Sequence, residues 1–203
     1  MGGVGSWAGM GVTTLDVASQ DAHSDVVESS PNRGDNAIFL DYKRGLLHTL
    51  HTASRQGNVC AVRSLLGRGA DVNERDARNW TPLHWASMEG ILEAAKLLIE
   101  HGGDVNSRDR FGWTPLHRAS RHRHLDVVRL LLDQGADVDA QKQNLWTPLH
   151  LASVNGYLEI VKLLLERGAN VHLRNNEGLT ASQAASRGGD REIVRLLSEY
   201  GVH

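Results

Sequence analysis

The sequence is poor in cysteine, in net charge and in long apolar runs, and each shortage excludes a class of protein. Its 203 residues include a single cysteine, Cys60, which excludes an intramolecular disulfide framework and suits a reducing, intracellular compartment. The formal net charge of -2 argues against a dedicated nucleic-acid binder, which usually has a strongly basic face. No run of about 18 apolar residues is present, so no membrane span is predicted.

A regular period runs through most of the chain. The tetrapeptide Thr-Pro-Leu-His begins at Thr81, Thr114 and Thr147, in steps of 33. Ala-Ser pairs keep the same spacing and begin at Ala53, Ala86, Ala119, Ala152 and Ala185. Self-similarity at a fixed period of about 20–50 residues is the signature of stacked structural repeats.

Each repeat predicts two short helices joined by a tight turn. Thr81 can cap a first helix over Pro82–Glu89, because proline at the first helical position needs no backbone donor. A left-handed glycine then ends the first helix, at Gly57, Gly90 and Gly156. Leucine-rich second helices are predicted over Leu92–Glu100, Leu125–Asp133 and Leu158–Glu166. No single unit can bury its leucine face, so stability must come from stacking of neighbours.

The motif, the period and the Gly-Ala-Asp-Val-Asn turn at Gly69–Asn73 resemble the ankyrin-repeat family, over about Leu46 to His203. The resemblance implies an all-α ankyrin-repeat solenoid of helix-turn-helix units with projecting β-hairpin loops. The five predicted repeats cover residues 46–78, 79–111, 112–144, 145–177 and 178–203. The family usually binds proteins on its concave face, which is formed by hairpin tips and first helices.

A degenerate sixth repeat is predicted before the regular ones, at residues 11–45, after a flexible leader at 1–10. Gly11–Val27 matches Gly112–Val128 at several positions with a constant offset of 101. Pro31 stands near the place of the core leucines and should break a second helix, so we expect this unit to be loosely ordered. The alternative is a chance match within a segment rich in glycine and serine.

The sequence contains no motif that indicates catalysis, a metal site or a cofactor. The motif histidines are expected to hydrogen-bond the neighbouring turn. His122 and His124 are two residues apart, which does not place them on one helical face, and no cysteine or carboxylate completes a zinc set. Cys60 is expected to be part-buried in a second helix. We therefore expect no enzyme, no metal and no cofactor.

Three residues fit patterns for covalent modification. Gly2 follows Met1 in a stretch that matches the N-myristoylation pattern, although no basic patch supplies a second membrane signal. The ankyrin resemblance implies that Asn73 and Asn106 fit the pattern of asparagines that are hydroxylated in some family members. The alternative is that each asparagine only hydrogen-bonds its own turn.

Partner binding is predicted at the loops and first helices. Trp80, Trp113 and Trp146 each precede a motif threonine and should form a ladder along the inner rim. The alternative is that each ring packs against the next repeat. Tryptophan and arginine are enriched among interface hot spots. The predicted contact residues are Trp80, Trp113, Trp146, Phe111, Arg78, Arg110, Met88, Glu89, Arg121, His122 and Asn155.

Two functions fit these predictions. We favour a monomeric, intracellular adaptor or inhibitor that grips another protein in a mildly positive groove. The alternative is a recognition or substrate-receptor module of a larger complex whose catalysis lies in another subunit. One departure bears on the groove: Arg123 stands where the other repeats have glycine, through drift or through contact with a ligand. The polar residues Ser198–Tyr200 are expected to cap the last repeat.

Overall fold

The computed structural model describes residues 39–41 and 46–201. Within these residues ten α-helices follow one short β-hairpin, which confirms the predicted all-α repeat fold. The strands are β1 (Phe39–Asp41) and β2 (Leu46–His48). The helices are α1 (Leu50–Gln56), α2 (Val59–Gly67), α3 (Pro82–Glu89), α4 (Leu92–Glu100), α5 (Pro115–Arg121), α6 (Leu125–Asp133), α7 (Pro148–Val154), α8 (Leu158–Glu166), α9 (Ala181–Gly188) and α10 (Arg191–Tyr200).

The two strands form an antiparallel hairpin directly before α1. Phe39 lies opposite His48, and Asp41 lies opposite Leu46. Strand β2 begins the first predicted repeat, whereas β1 falls within the predicted degenerate repeat at 11–45. The rest of that range and the leader at 1–10 lie outside the described residues. The degenerate repeat therefore stays a prediction.

The first helix of each regular repeat begins after a capping threonine. At α5, Thr114 Oγ1 accepts the His117 amide at 3.3 Å, and His117 Nδ1 accepts the Thr114 amide at 3.2 Å. The same box caps α3 and α7, which confirms the predicted caps. Helix α1 differs by one residue, because His48 stands at the threonine position. Thr49 caps α1 instead, in a box with Thr52.

The turn after each first helix uses a left-handed residue. Gly57, Gly90 and Gly156 have φ of 70°, 74° and 74°, as the sequence predicts. Arg123 occupies the same place in the central repeat with φ of 66°. A residue with a Cβ costs about 1 kcal/mol in this conformation, so Arg123 is a strained position.

Two columns of leucines form the core. First helices pack on first helices and second helices on second helices, in two layers. The leucines of both columns recur every 33 residues and are at most 2% exposed: Leu50, Leu83, Leu116 and Leu149 in one, and Leu65, Leu98, Leu131, Leu164 and Leu197 in the other. Burial of each leucine side chain contributes about 2 kcal/mol. Stability thus depends on contact between successive repeats.

Candidate functional site

The candidate site lies on the inner face, which we define as the loops 74–80, 107–113, 140–146 and 173–179 with helices α3, α5 and α7. Asp76 organises the first of these loops. Its Oδ1 accepts the amides of Arg78 at 2.8 Å and Trp80 at 2.9 Å, and its Oδ2 accepts the Trp85 indole N–H at 3.0 Å. Burial acts to raise the pKa of Asp76, but these hydrogen bonds outweigh it and lower the pKa. The carboxylate thus ties the loop to α3.

Asp109 organises the next loop in the same way. Its Oδ1 accepts the amides of Phe111 at 2.8 Å and Trp113 at 2.9 Å, while its Oδ2 accepts Arg118 Nη2 at 2.6 Å. The Asp109 side chain is 0% exposed and that of Arg118 is 11% exposed, so this ion pair is shielded from water. Removal of one partner from a buried pair costs about 3–5 kcal/mol. Asp109 and Arg118 are therefore structural supports of the site.

The Arg118 guanidinium lies between indoles of two successive repeats. Its Cζ is 4.0 Å from the Trp80 ring centroid and 4.3 Å from that of Trp113. Burial lowers the pKa of Arg118, and Asp109 opposes this shift. Trp80 also packs on Trp85 at 4.4 Å between centroids and is only 7% exposed. Trp80 thus has the packing position that was the alternative in the sequence analysis, and it offers a partner little area.

Trp113 and Trp146 are half-buried and keep part of their rings at the surface. The three indoles follow one another at successive loops, but the Arg118 guanidinium separates the first two. Direct contact of these rings with a partner stays a prediction.

The motif histidines link each repeat to the next. His84 Nε2 donates to the Trp113 carbonyl at 3.0 Å, and His117 Nε2 donates to the Trp146 carbonyl at 3.0 Å. The opposite nitrogen accepts a threonine amide, which fixes the tautomer. The predicted bond to the neighbouring turn is thus observed. Burial lowers the pKa of both histidines to about 4, so both buried rings are neutral at pH 7.

The third loop departs from the first two. Lys142 stands where the earlier loops have Asp76 and Asp109. An ammonium group accepts no hydrogen bond, so Lys142 cannot hold the amides of Asn144 and Trp146 as the aspartates hold theirs. Its Nζ bonds to the Asn144 side-chain oxygen instead.

The other predicted contact residues line the same face. Phe111 is 55% exposed at a loop tip, and Met88 is half-buried on α3. The remaining members are exposed: Arg78, Arg110, Glu89, Arg121, His122 and Asn155. Three of them have a carboxylate, guanidinium or carbonyl partner within the chain: Glu89 faces Arg55 at 3.8 Å, Arg110 donates to the Ala77 carbonyl, and Asn155 donates to the Leu151 carbonyl at 2.7 Å.

A family model described as Ankyrin repeats (3 copies) matches residues 50–142 and 138–203. The chain belongs to the ankyrin-repeat family. Ankyrin repeats are in general protein–protein interaction modules and are typically not catalytic. A comparison with curated proteins gives no match.

Asn73 and Asn106 join successive ankyrin repeats. Asn73 Oδ1 accepts the Asp104 amide at 2.8 Å, and its Nδ2 donates to the Gly102 carbonyl at 3.0 Å. Asn106 makes the equivalent pair of bonds one repeat later, at 2.8 Å and 3.1 Å. Both amides thus have a structural role, and their hydroxylation stays a prediction. Gly2 lies outside the described residues.

Metal-binding and membrane-spanning features are absent from residues 39–41 and 46–201 of the ankyrin-repeat chain. In this part no three His, Cys, Asp or Glu side chains lie close enough to hold a metal ion. His124 Nε2 donates instead to the Met88 carbonyl at 2.9 Å. Cys60 is exposed, so the expectation that it is part-buried was wrong. No helix within these residues is long and apolar enough to cross a bilayer.

Two loop residues of the ankyrin repeats, Lys142 and Leu145, were not predicted from the sequence. Lys142 reverses the charge found at the same place in the two preceding repeats, a signal that comparison of the repeats could have revealed. Leu145 has φ of 60° at the place of Gly112 and Gly178, and it is 43% exposed. A leucine at positive φ is a genuine outlier, and the glycines at the same place in the neighbouring repeats are the signal that could have revealed it.

Proposed function

We propose that the chain is a non-enzymatic scaffold, an adaptor or inhibitor, that binds a partner protein on the inner face, which is the concave side in the ankyrin family. The observation that carries the proposal is the row of arginines and tryptophans, in which the largely buried Trp80 and Arg118 hold the more exposed Trp113 and Arg121 in place. Arg118 stacks on Trp80 and Trp113, and Arg121 lies 5.3 Å from the Trp113 centroid. Such side chains are held before binding, so little rotamer entropy is lost on association.

Exposed apolar tips supplement this row. Phe111 and Leu145 are 55% and 43% exposed on adjacent loops, where the Phe111 carbonyl accepts the Gln143 amide at 3.0 Å. Large apolar side chains at the rim of a rigid surface are suited to anchoring a partner.

Charge differs between the two sides of the repeats. Among the described residues, no carboxylate lies within 4.0 Å of the inner-face cations Arg78, Arg110, Arg121 and Lys142. Acids of the second helices face cations instead: Glu93 with Lys96 at 2.8 Å, Asp133 with Arg167 at 2.7 Å, and Glu159 with Lys162 at 3.0 Å. A positive inner face favours an acidic partner surface and speeds its association.

The proposal is tested with two exposed inner-face residues, Phe111→Ala combined with Arg121→Ala. A partner captured by cross-linking is purified, and its direct binding is measured by titration calorimetry. We expect at least about tenfold weaker binding, equivalent to about 1.4 kcal/mol, because an apolar anchor and a cation are lost together. Both side chains are exposed, so the melting temperature should change little.

The matched control is Arg129→Ala combined with Glu166→Ala, two exposed residues on the second helices α6 and α8. This variant should bind within about twofold of the original chain. If the control weakens binding as much as the inner-face variant, or if neither does, the partner does not bind the inner face.

A further inference from the structure

Three cations surround the ring of Trp113. The guanidinium carbon of Arg118 lies 4.3 Å from the ring centroid, Lys142 Nζ lies 4.8 Å away and the guanidinium carbon of Arg121 lies 5.3 Å away. The attraction between one indole and one cation is about 0.5–2 kcal/mol, whereas like charges gathered at one ring also repel one another. Burial lowers the pKa of Lys142, and Arg121 and Arg118 lower it further.

Only one of these cations is neutralised within the described part of the chain. Asp109 lies 2.6 Å from Arg118. No described carboxylate lies within 4.0 Å of Arg121 or Lys142, so two positive charges remain at the surface of one indole. Arg121 is exposed and Lys142 is half-buried, so a ligand can reach both.

Loop stability does not explain the presence of Lys142. Asp76 and Asp109 each hold two backbone amides of their own loop, at 2.8 and 2.9 Å. Lys142 gives up these two bonds and adds a third positive charge beside Trp113. In return Lys142 makes one side-chain hydrogen bond to Asn144 and one contact with the Trp113 ring. A residue that breaks the local rule of its own repeat for so small a gain indicates a functional constraint.

We propose that Arg121 and Lys142 bind a phosphate monoester on a side chain of the partner protein. This inference rests on the proposed function and specifies one chemical group of the partner. A phosphorylated side chain carries about −1.5 to −2 charges and three acceptor oxygens, whereas a carboxylate carries −1. The planar guanidinium supplies a donor fork and the ammonium a point charge, the combination that phosphate sites use.

The surroundings of the cluster favour a phosphorylated protein over nucleic acid. Phe111 is 55% exposed on the loop beside Lys142, and Leu145 is 43% exposed three residues after it. Apolar anchors at both sides suit a peptide whose phosphorylated residue is flanked by apolar side chains. Arg121 and Lys142 lie at one ring and do not form a basic stripe along the repeats, and the chain carries a formal net charge of -2.

The deciding variant is Lys142→Asp, because it restores the residue that the two preceding loops use. Binding is measured on the immobilised full chain with three degenerate peptide pools, whose fixed central residue is phosphoserine, serine or glutamate. We expect the phosphoserine pool to bind at least about tenfold more tightly than the serine pool and more tightly than the glutamate pool. Lys142→Asp should remove that preference, while its melting temperature stays equal or rises.

Arg121→Gln provides a second loss of charge on the same cluster, and Arg129→Gln on α6 is the matched control. Arg121→Gln should reduce the phosphoserine preference at least about threefold, and Arg129→Gln should leave it within about twofold. Equal binding of the phosphoserine and serine pools overturns the inference, as does an undiminished preference in Lys142→Asp. Tighter binding of a single-stranded DNA oligonucleotide than of the phosphoserine pool also overturns it.

Failure of this inference and failure of the proposed function give different results. If a cross-linked partner binds equally before and after phosphatase treatment, but loses affinity with Phe111→Ala and Arg121→Ala, the inner face binds protein without a phosphate. If no partner is sensitive to the inner-face variant, the proposed function itself fails.

Discussion

At the scale of single residues, a loop residue and the residue nine positions later depend on one another in two of the repeats, as Asp76 with Trp85 and Asp109 with Arg118. The loop carboxylate of Asp109 binds Arg118, nine residues later, at 2.6 Å. One repeat later the loop residue is Lys142, and the residue nine positions on is the buried Leu151. The tie between loop and first helix is thus absent at the place where a ligand for Lys142 is proposed. Lys142 and Leu151 replace both members of the pair, and comparison of the repeats within one sequence can reveal such a double change.

Arg123→Gly should stabilise the domain by up to about 1 kcal/mol, because glycine adopts the φ of 66° without steric conflict. The free energy of unfolding in urea measures the change. Arg123 lies 5.9 Å from the Tyr157 ring, and loss of this weak contact offsets only part of the gain.

Gly189→Arg provides the reverse control for this prediction. Gly189 has φ of 81°, and no atom lies within 4 Å of the place where a Cβ would stand, so only backbone strain is added. We expect a loss of about 1 kcal/mol. Unchanged stability in Arg123→Gly would contradict the strain at Arg123. Gained stability with unchanged partner binding would favour drift over ligand contact as the origin of this arginine.

At the scale of elements, the loops between repeats form a ladder of side-chain amides. Asn73 and Asn106 each accept one backbone amide and donate to one carbonyl of the next repeat. Asp139, the equivalent residue one repeat after Asn106, accepts the Asn170 amide at 2.9 Å but has no N–H to donate.

Asp139→Asn should therefore stabilise the domain by about 1 kcal/mol, since its new amide can donate to the Gly168 carbonyl, the counterpart of Gly135 in the next repeat. Urea unfolding measures the gain. Asn106→Asp is the matched reversal and should lose at least as much, because a carboxylate would face the Gly135 carbonyl. If these side-chain hydrogen bonds contribute no stability, both variants will have the same free energy of unfolding as the original chain.

The helices themselves were predictable from local rules. Pro82–Glu89 and Leu92–Glu100 agree with the structure because cap, proline and left-handed turn each have a residue signature. The shifted cap of α1 was not predicted, because the register of the repeats pointed to His48 and only the structure shows that Thr49 replaces it. The site was less predictable: the order of the tryptophans followed from the period, but the burial of Trp80 depends on Arg118 of the next repeat.

At the scale of the whole molecule, buried neutral histidines predict a loss of stability in acid. His84 and His117 have pKa values of about 4 in the fold and an ordinary value of 6.5. The folded state therefore disfavours protonation, so their contribution is complete above pH 6.5 and is lost as the pH falls toward 4. The slope should be on the order of 1 kcal/mol per pH unit for each histidine. Urea unfolding between pH 7.5 and 4.5 measures it.

The combined variant His84→Gln and His117→Gln should flatten this dependence while lowering stability at pH 7. The chain provides the precedent, because Gln183 stands at the same place in the last repeat and accepts the Thr180 amide at 3.0 Å. A slope equal to that of the unmodified chain would show that other groups cause the acid sensitivity.

The stack of Trp80, Arg118 and Trp113 also has an optical consequence. The two indoles belong to neighbouring repeats, and the guanidinium lies between them. The distance between the rings therefore changes when these two repeats bend relative to one another. The near-ultraviolet circular dichroism of these rings is thus an intrinsic gauge of curvature. A ligand that flexes the array will alter the signal without any attached dye, and one that docks on an unchanged frame will not.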